Sequence, residues 1–227
     1  MSPLAPSPCD SCSAATMVSV LGSSDEERLE VLDDAGDPTG VLKPRHAVHR
    51  DGDWHRSFHL WIVKDRRQVL LQRRSSSKDL EPNKCDVSVG GHFAPGEGSG
   101  GVLREAEEEI GLTLHISELH SMGTRKSERF YPGATDREFQ EVYVAECSRP
   151  LEEYALNCAE VYVLYEVPID RAIALYREGA FVPAPGIDCH RRVNNALLVE
   201  DDLISQGRGD LVDALMKLRQ WLQDAAE

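Results

Sequence analysis

The chain lacks an excess of positive charge: 25 Lys and Arg stand against 39 Asp and Glu, for a net charge of -14. Nucleic-acid binders ordinarily show the reverse balance, so no nucleic-acid partner is expected. No apolar run approaches the length that crosses a bilayer, so no membrane partner is expected. The start of the chain lacks the basic residues and apolar stretch of a secretory signal, and residues 1–26 lack the arginines of a transit peptide. The expected location is therefore the cytoplasm. Cysteine occurs six times, at Cys9, Cys12, Cys85, Cys147, Cys158 and Cys189. The single CxxC at Cys9 and Cys12 has no second pair to complete a zinc site. Without a secretion signal, all six read as free thiols.

What is present is ordinary for a soluble globular protein: 41% hydrophobic and 28% charged residues in 227. Residues 1–26 are rich in Ser, Pro and Ala and read as a tail without fixed structure, with Met17 as an alternative start. Residues 27–227 read as one catalytic domain that includes the C-terminal helix. "RLEVLDD" and "TGVLKPR" flank the turn signal "AGDPTG" and predict a hairpin. "SFHLWIVK" and "RQVLLQRR" predict a second hairpin, and "CDVSVGGHF" a strand over 85–93. A helix is expected over 100–110, stopped by Gly111. "FQEVYVAEC" and "AEVYVLYEVP" read as strands and "DRAIALYREG" as a short helix. Residues 182–190 read as a loop, and Leu211, Leu215, Leu218 and Leu222 mark a closing amphipathic helix. Trp54, Trp61 and Phe130 read as core aromatics. The fold class is α/β (α+β): a sandwich around a mixed sheet.

The stretch "GGHFAPGEGSGGVLREAEEEIGL", Gly90 to Leu112, carries the chemistry. Glu105, Glu108 and Glu109 fall at i, i+3 and i+4, on one helix face, while Glu107 points elsewhere. Like charges at this spacing each cost a few tenths of a kcal/mol. A hard divalent cation offsets that cost, because Mg²⁺ and Mn²⁺ favour oxygen ligands. Arg104, just before the cluster, is placed to orient one carboxylate. A charge run alone is ordinarily a solvated face; here a glycine-rich loop leads into the helix from a strand.

This stretch resembles the signature of the Nudix hydrolases. Gly91, Glu97, Arg104, Glu105, Ala106, Glu108, Glu109, Gly111 and Leu112 match it by type. One departure is a residue missing at "GEGSGG": counted back from Arg104, the glutamate slot falls on Gly96 and the glycine slot on Gly90. That leaves the role of Glu97 open, and Gly100 and Gly101 weaken the helix start. The resemblance implies a sandwich with a loop-helix-loop signature, and hydrolysis of a diphosphate linked to another group, as in a nucleoside diphosphate derivative or nucleotide. It implies Mg²⁺ (or Mn²⁺) as cofactor, held by Glu105, Glu108 and Glu109. Catalysis would rest on Glu105, Glu108 and Arg104, one glutamate acting as general base.

The flanks "WHRSFHLWIV", "LLQRRSSSKDLEPN" and "SVGGHFAPGE" are similar to the branch that includes type I isopentenyl-diphosphate isomerase. That resemblance implies diphosphate contacts at Arg74 and Lys78, a metal or substrate role for His92 beside Gly91, and a metal role for Glu141. His55 matches another isomerase histidine, and His49 stands one residue out of step with a third. The isomerase's catalytic cysteine stands directly before Gly-His, where this chain has Gly90, and Cys85 would face the other side of its strand. Isomerase activity is therefore not expected, although an isomerase-like enzyme and an inactive nucleotide-binding module remain the alternatives. The expected partner is a small-molecule diphosphate; monomer and homodimer both stay open. Specificity is expected in the segments 120–138 and 178–195, of which "RKSERFYPGATDRE" reads as a mobile substrate lid.

Overall fold

The structure is a computed structural model that describes residues 27–224. The expected tail 1–26, with Met17, Cys9 and Cys12, lies outside the described residues. β1 (Arg28–Leu32) and β2 (Pro38–Pro44) pair antiparallel as the first hairpin. Its turn closes on the Asp33 carboxylate, which accepts from the backbone N–H of Ala35 and Asp37. A short helix not anticipated from the sequence, α1 (Arg45–Asp51), follows and ends at Gly52 in left-handed backbone. β3 (Trp54–Lys64) and β4 (Gln68–Arg74) form the second hairpin, paired through Val63 and Val69.

The expected strand over 85–93 is broken in two. β5 (Cys85–Asp86) pairs with β4, and β6 (Val89–His92) pairs with β3. Ser88 makes the crossing: its hydroxyl donates to the Leu70 carbonyl at 2.6 Å and accepts from the Ile62 N–H at 2.8 Å. β3 and β4 thus splay apart beyond their turn, with the two short strands between them.

α2 (Gly100–Ile110) then leads by way of Gly111, at φ 64°, to β7 (His120–Tyr131) and β8 (Ala134–Glu146). The expected lid is instead this long hairpin, tightly turned at Pro132–Gly133 and paired from Tyr131↔Ala134 to His120↔Val144. Proline fixes φ at the first turn position and Gly133, at φ 79°, supplies the left-handed second. Three of the segment's charged groups, Arg129, Asp136 and Glu138, are buried.

β9 (Val161–Pro168), α3 (Ile169–Glu178), β10 (Val182–Ala184), β11 (Gly186–Asp188), β12 (Ala196–Leu198) and α4 (Arg208–Asp224) complete the described chain. The expected loop over 182–190 therefore carries two short strands: β11 extends the main sheet beside β9, and β10 pairs with β12. The main sheet is mixed, with β8 parallel to β3 and the remaining pairs antiparallel.

Side-chain alternation splits the core into two layers. Trp61, Val63, Val69 and Leu71 face α3 and α4, where Leu211, Leu215, Leu218 and Leu222 are buried. Leu60, Ile62 and Leu70 face Val102, Ala106 and Ile110 of α2. Full burial of each large aliphatic contributes about 1.5–3 kcal/mol. The result is the expected α/β/α sandwich. Trp54 and Trp61 are core residues, whereas Phe130 lies exposed on the β7–β8 hairpin. Cys158 and Cys189, expected as free thiols, form a disulfide; Cys85 and Cys147 are free.

Candidate active site

A cleft of about 910 Å³ opens where β3 and β4 splay. α2 forms one wall, presenting Arg104, Glu105, Glu108 and Glu109. Gly91 lies beneath the helix, where a Cβ would come 3.2 Å from the side chains of Glu105 and Phe58, a contact tight enough to shift them by a few tenths of an ångström. Arg104 gathers three carboxylates: Glu97 through Nη2 at 3.1 Å, and Glu105 and Glu108 through Nη1 at 2.7 and 3.1 Å.

Glu97 also accepts from the Ala94 N–H at 2.8 Å, and a Cβ on Gly101 would sit 2.6 Å from its Oε2. Glu97 is therefore a clamp between the loop and the helix start, and Gly101, whatever it costs in helix propensity, leaves room for it. The three glutamates differ in setting. Glu108 is exposed, while burial raises the Glu105 carboxyl even against Arg104. Glu109 is buried with Oε2 unpartnered; desolvation pushes its carboxyl up to about 8, despite Lys78 nearby.

Arg74 and Lys78 stand on the segment facing Glu109 and also line the cleft. Lys78 is ion-paired with Glu160, and Arg74 donates to the Leu80 carbonyl at 3.2 and 3.3 Å.

Glu141 is not brought to the cleft. It pairs in register with Phe58, on the α2 side of the sheet, where Arg56 holds it at 2.5 Å and the Tyr143 hydroxyl donates to it at 2.6 Å. The carboxylates that reach the cleft from β8 are Asp136 and Glu138, which the sequence reading missed. Their period-two spacing with Gln140 in "DREFQ" was the available signal.

The opposite face of β3 presents His55, Ser57 and His59. Register places Glu138 beside His55, and His92 beside Ser57, on that same face. α1 adds His49. The three rings of His49, His55 and His92 lie 5.1–5.6 Å apart between centroids. The Nε2 atoms of His49 and His55 and Oδ1 of Asp136 are buried without hydrogen-bond partners. Asp136 Oδ1 stands 3.7 Å from His49 Nε2 and 3.5 Å from His55 Nε2, too far for good hydrogen bonds. His55 turns its Nδ1 to the Asp53 carbonyl at 3.1 Å, leaving Nε2 aimed at the carboxylate.

Burial lowers His55 to about 4 and His49 to about 2, so both are neutral near pH 7. Buried ring nitrogens beside a carboxylate, unpartnered and too far from it for good hydrogen bonds, fit a cation, and His49, His55 and His92 form one candidate ligand group, His55, Asp136 and Glu138 another. Arg129 takes the outer oxygens, 3.6 Å from Asp136 and 3.4 Å from Glu138. Burial and the Glu138 charge raise Asp136; burial opposes the Glu138 charge, but Arg129 and the histidines hold that carboxylate low.

A NUDIX domain matches residues 53–175. The chain belongs to the Nudix family. It is 37% identical over 166 residues to Nudix hydrolase 3 of Arabidopsis thaliana, a match that covers 70% of this chain and 22% of that protein. The chain thus spans about a fifth of that relative. It is 32% identical to an uncharacterized Nudix hydrolase of Clostridium acetobutylicum, over 82% of this chain and 93% of the relative. It is also 35% identical to an isopentenyl-diphosphate Delta-isomerase of Paenarthrobacter aurescens, over 60% of this chain and 72% of that enzyme. This Nudix chain therefore sits in a branch that includes isomerases. Its Gly90 occupies the strand position before Gly91 and His92, while Cys85 lies in the α3–α4 core, where burial pushes the thiol up to about 12.

Proposed function

We propose that this Nudix protein is a divalent-cation-dependent hydrolase that cleaves a diphosphate linkage in a nucleoside diphosphate derivative or nucleotide by attack of water on phosphorus. The observation that carries this reading is the convergence of Glu105, Glu108 and Glu109 with Arg74 and Lys78 around one cleft. Glu105, Glu108 and Glu109 would hold Mg²⁺ or Mn²⁺, whose binding supplies Lewis-acid polarisation of phosphoryl oxygens and neutralises charge. Arg104 sets the positions of Glu105 and Glu108 through its ion pairs. Arg74 and Lys78 bind phosphate oxygens by charge and donor geometry. Desolvation keeps the Glu109 carboxyl protonated near neutral pH in the cation-free protein, and a bound cation would offset that cost and leave it ionised as a ligand.

His49, His55, His92, Asp136 and Glu138 would hold a second cation in the same cleft. The unpartnered buried atoms of His49, His55 and Asp136 favour this over a neutral hydrogen-bonded cluster. Isomerase chemistry is not favoured, because Gly90 offers no thiol and the Cys85 thiol is buried away from the cleft.

The test is a turnover screen with Mg²⁺ or Mn²⁺ over nucleotides, nucleotide sugars, dinucleoside polyphosphates and isopentenyl diphosphate, products read by mass spectrometry. Cation-dependent cleavage of one class supports the reading. Cation binding without turnover of any member would favour the binding module, and dimethylallyl diphosphate as product would restore the isomerase.

A further inference from the structure

Cys158 and Cys189 lie 31 residues apart in sequence and 5.2 Å apart between Cα atoms, joined as a disulfide. The two ends of this bond differ. Cys189 follows β11 and is tied to the sheet, its N–H donating to the Tyr162 carbonyl at 2.9 Å. Cys158 sits in the exposed turn over 157–160, and that turn is built into the cleft.

The Asn157 N–H donates to the Glu109 carbonyl at 2.9 Å, and the Ala155 N–H to the Ile110 carbonyl at 3.1 Å, so the turn caps the end of α2. The Glu160 carbonyl accepts from the Ser75 N–H at 2.9 Å, the Ala159 carbonyl from the Ser77 hydroxyl at 3.1 Å, and the Glu160 carboxylate pairs with Lys78. One turn of chain thus holds both the helix that carries the carboxylates and the loop that carries Lys78, and the disulfide fastens it to β11.

We propose that Cys158 and Cys189 form a reversible redox-modification site, and that their pairing rigidifies the turn that positions Glu109 and Lys78. The chemistry balances as thiol–disulfide exchange with a small disulfide such as oxidised glutathione. The Cys158 thiolate attacks one sulfur of the small disulfide and expels one thiolate; the Cys189 thiolate then attacks Cys158 and expels the second. The protein loses two electrons and two protons, and the small disulfide becomes two thiols. Cys158 is the accessible partner, and His190 Nδ1, 4.0 Å from its sulfur, is placed to take the thiol proton. Neither cysteine lines the cleft, so the bond acts through the turn alone.

The full chain is equilibrated over a series of reduced-to-oxidised glutathione ratios, and each cysteine is read by differential alkylation and peptide mass spectrometry. Cys158 and Cys189 are expected to titrate together, with Cys85 protected throughout by burial. Amide hydrogen exchange of peptides covering 74–80 and 105–112 is then compared between the two forms. The disulfide form is expected to exchange at least about threefold more slowly in both peptides. Cys158→Ser is expected to match the reduced form at every ratio.

Alkylation of both residues at every ratio would overturn the proposal, as would identical exchange in the two forms. The effect on turnover, expected as a rise of about threefold in KM on reduction with kcat changed less, rests on the hydrolase reading. Absence of turnover in both redox forms would count against that reading and leave the exchange result to decide this one.

Discussion

Two clusters share one cleft and are built on opposite principles. The α2 wall takes its carboxylates from five consecutive residues, Glu105 to Glu109, so helix geometry alone puts three of them on one face. The histidine pocket takes His49 from α1, His55 from β3, His92 from β6, and Asp136 and Glu138 from β8, and it exists only when strand register is correct. Burial also works on them in opposite directions. It raises Glu109 to about 8, favouring a bound proton, and lowers His49 and His55 to about 2 and 4, favouring bare nitrogen. Both effects are the cost of charge in a poorly hydrated site, and on the proposed reading a divalent cation would supply the missing partner in both.

The largest separation of the two clusters is expected in turnover. Glu108→Gln or Glu109→Gln should lower kcat by about 10²–10⁴-fold while leaving the protein folded. Circular dichroism and a steady-state assay check this together, and near wild-type rates in both variants would remove α2 from the chemistry.

The second effect is in cation affinity. His55→Ala or Asp136→Asn should weaken one class of Mn²⁺ site by about 10–100-fold and spare the other. Paramagnetic titration counts the sites, and a single class in the wild type would refute a second cation.

Proton release separates them next. Near neutral pH, cation binding at α2 must displace the Glu109 proton, whereas the imidazoles of His49 and His55 have none to give. Calorimetry in buffers of differing ionisation enthalpy should therefore show release that falls by about one proton in Glu109→Gln. An unchanged proton count would mean that Glu109 is already ionised.

The same shifts give the cation-free protein opposing slopes of stability against pH. Glu109 holds its proton in the folded state from its ordinary 4.5 up to about 8, so its contribution falls as pH rises through that window. The histidines bind fewer protons folded than unfolded below 6.5, so theirs is lost as pH falls from there toward about 4 for His55 and about 2 for His49. Denaturant melts across pH should show Glu109→Gln flattening the upper slope, by on the order of a few kcal/mol.

The smallest effect is expected from Gly101→Ala, because the clashing atom is the end of the Glu97 side chain and can move. Turnover should fall by up to about tenfold through the displaced Arg104 clamp, with thermal stability little changed.

Legibility followed locality. The β3–β4 hairpin, α2 and α4 were readable because their apolar period matches their geometry. β7 was not, because its inward side carries Ser127 and Arg129 instead of apolar residues, and a strand without apolar alternation reads as loop. α1 has seven residues, too few for a periodic signal. Glu141 was named, and Asp136 and Glu138 were missed, because resemblance counts along the chain and cannot see which face a strand turns to the cleft.

By itself the sequence determined the carboxylate triad of α2, Arg104 beside it, the glycine stop behind it and the family these imply, since all rest on bonds and spacings within about three helical turns. Only the tertiary structure decided that Glu97 clamps Arg104, that Cys158 meets Cys189, and that Asp136 and Glu138 close on three histidines. Glu97 reaches Arg104 across seven residues, by a loop path that no helical or strand period fixes. The other two are set by strand register and by chain segments tens of residues apart, and only the packed sheet brings such segments together.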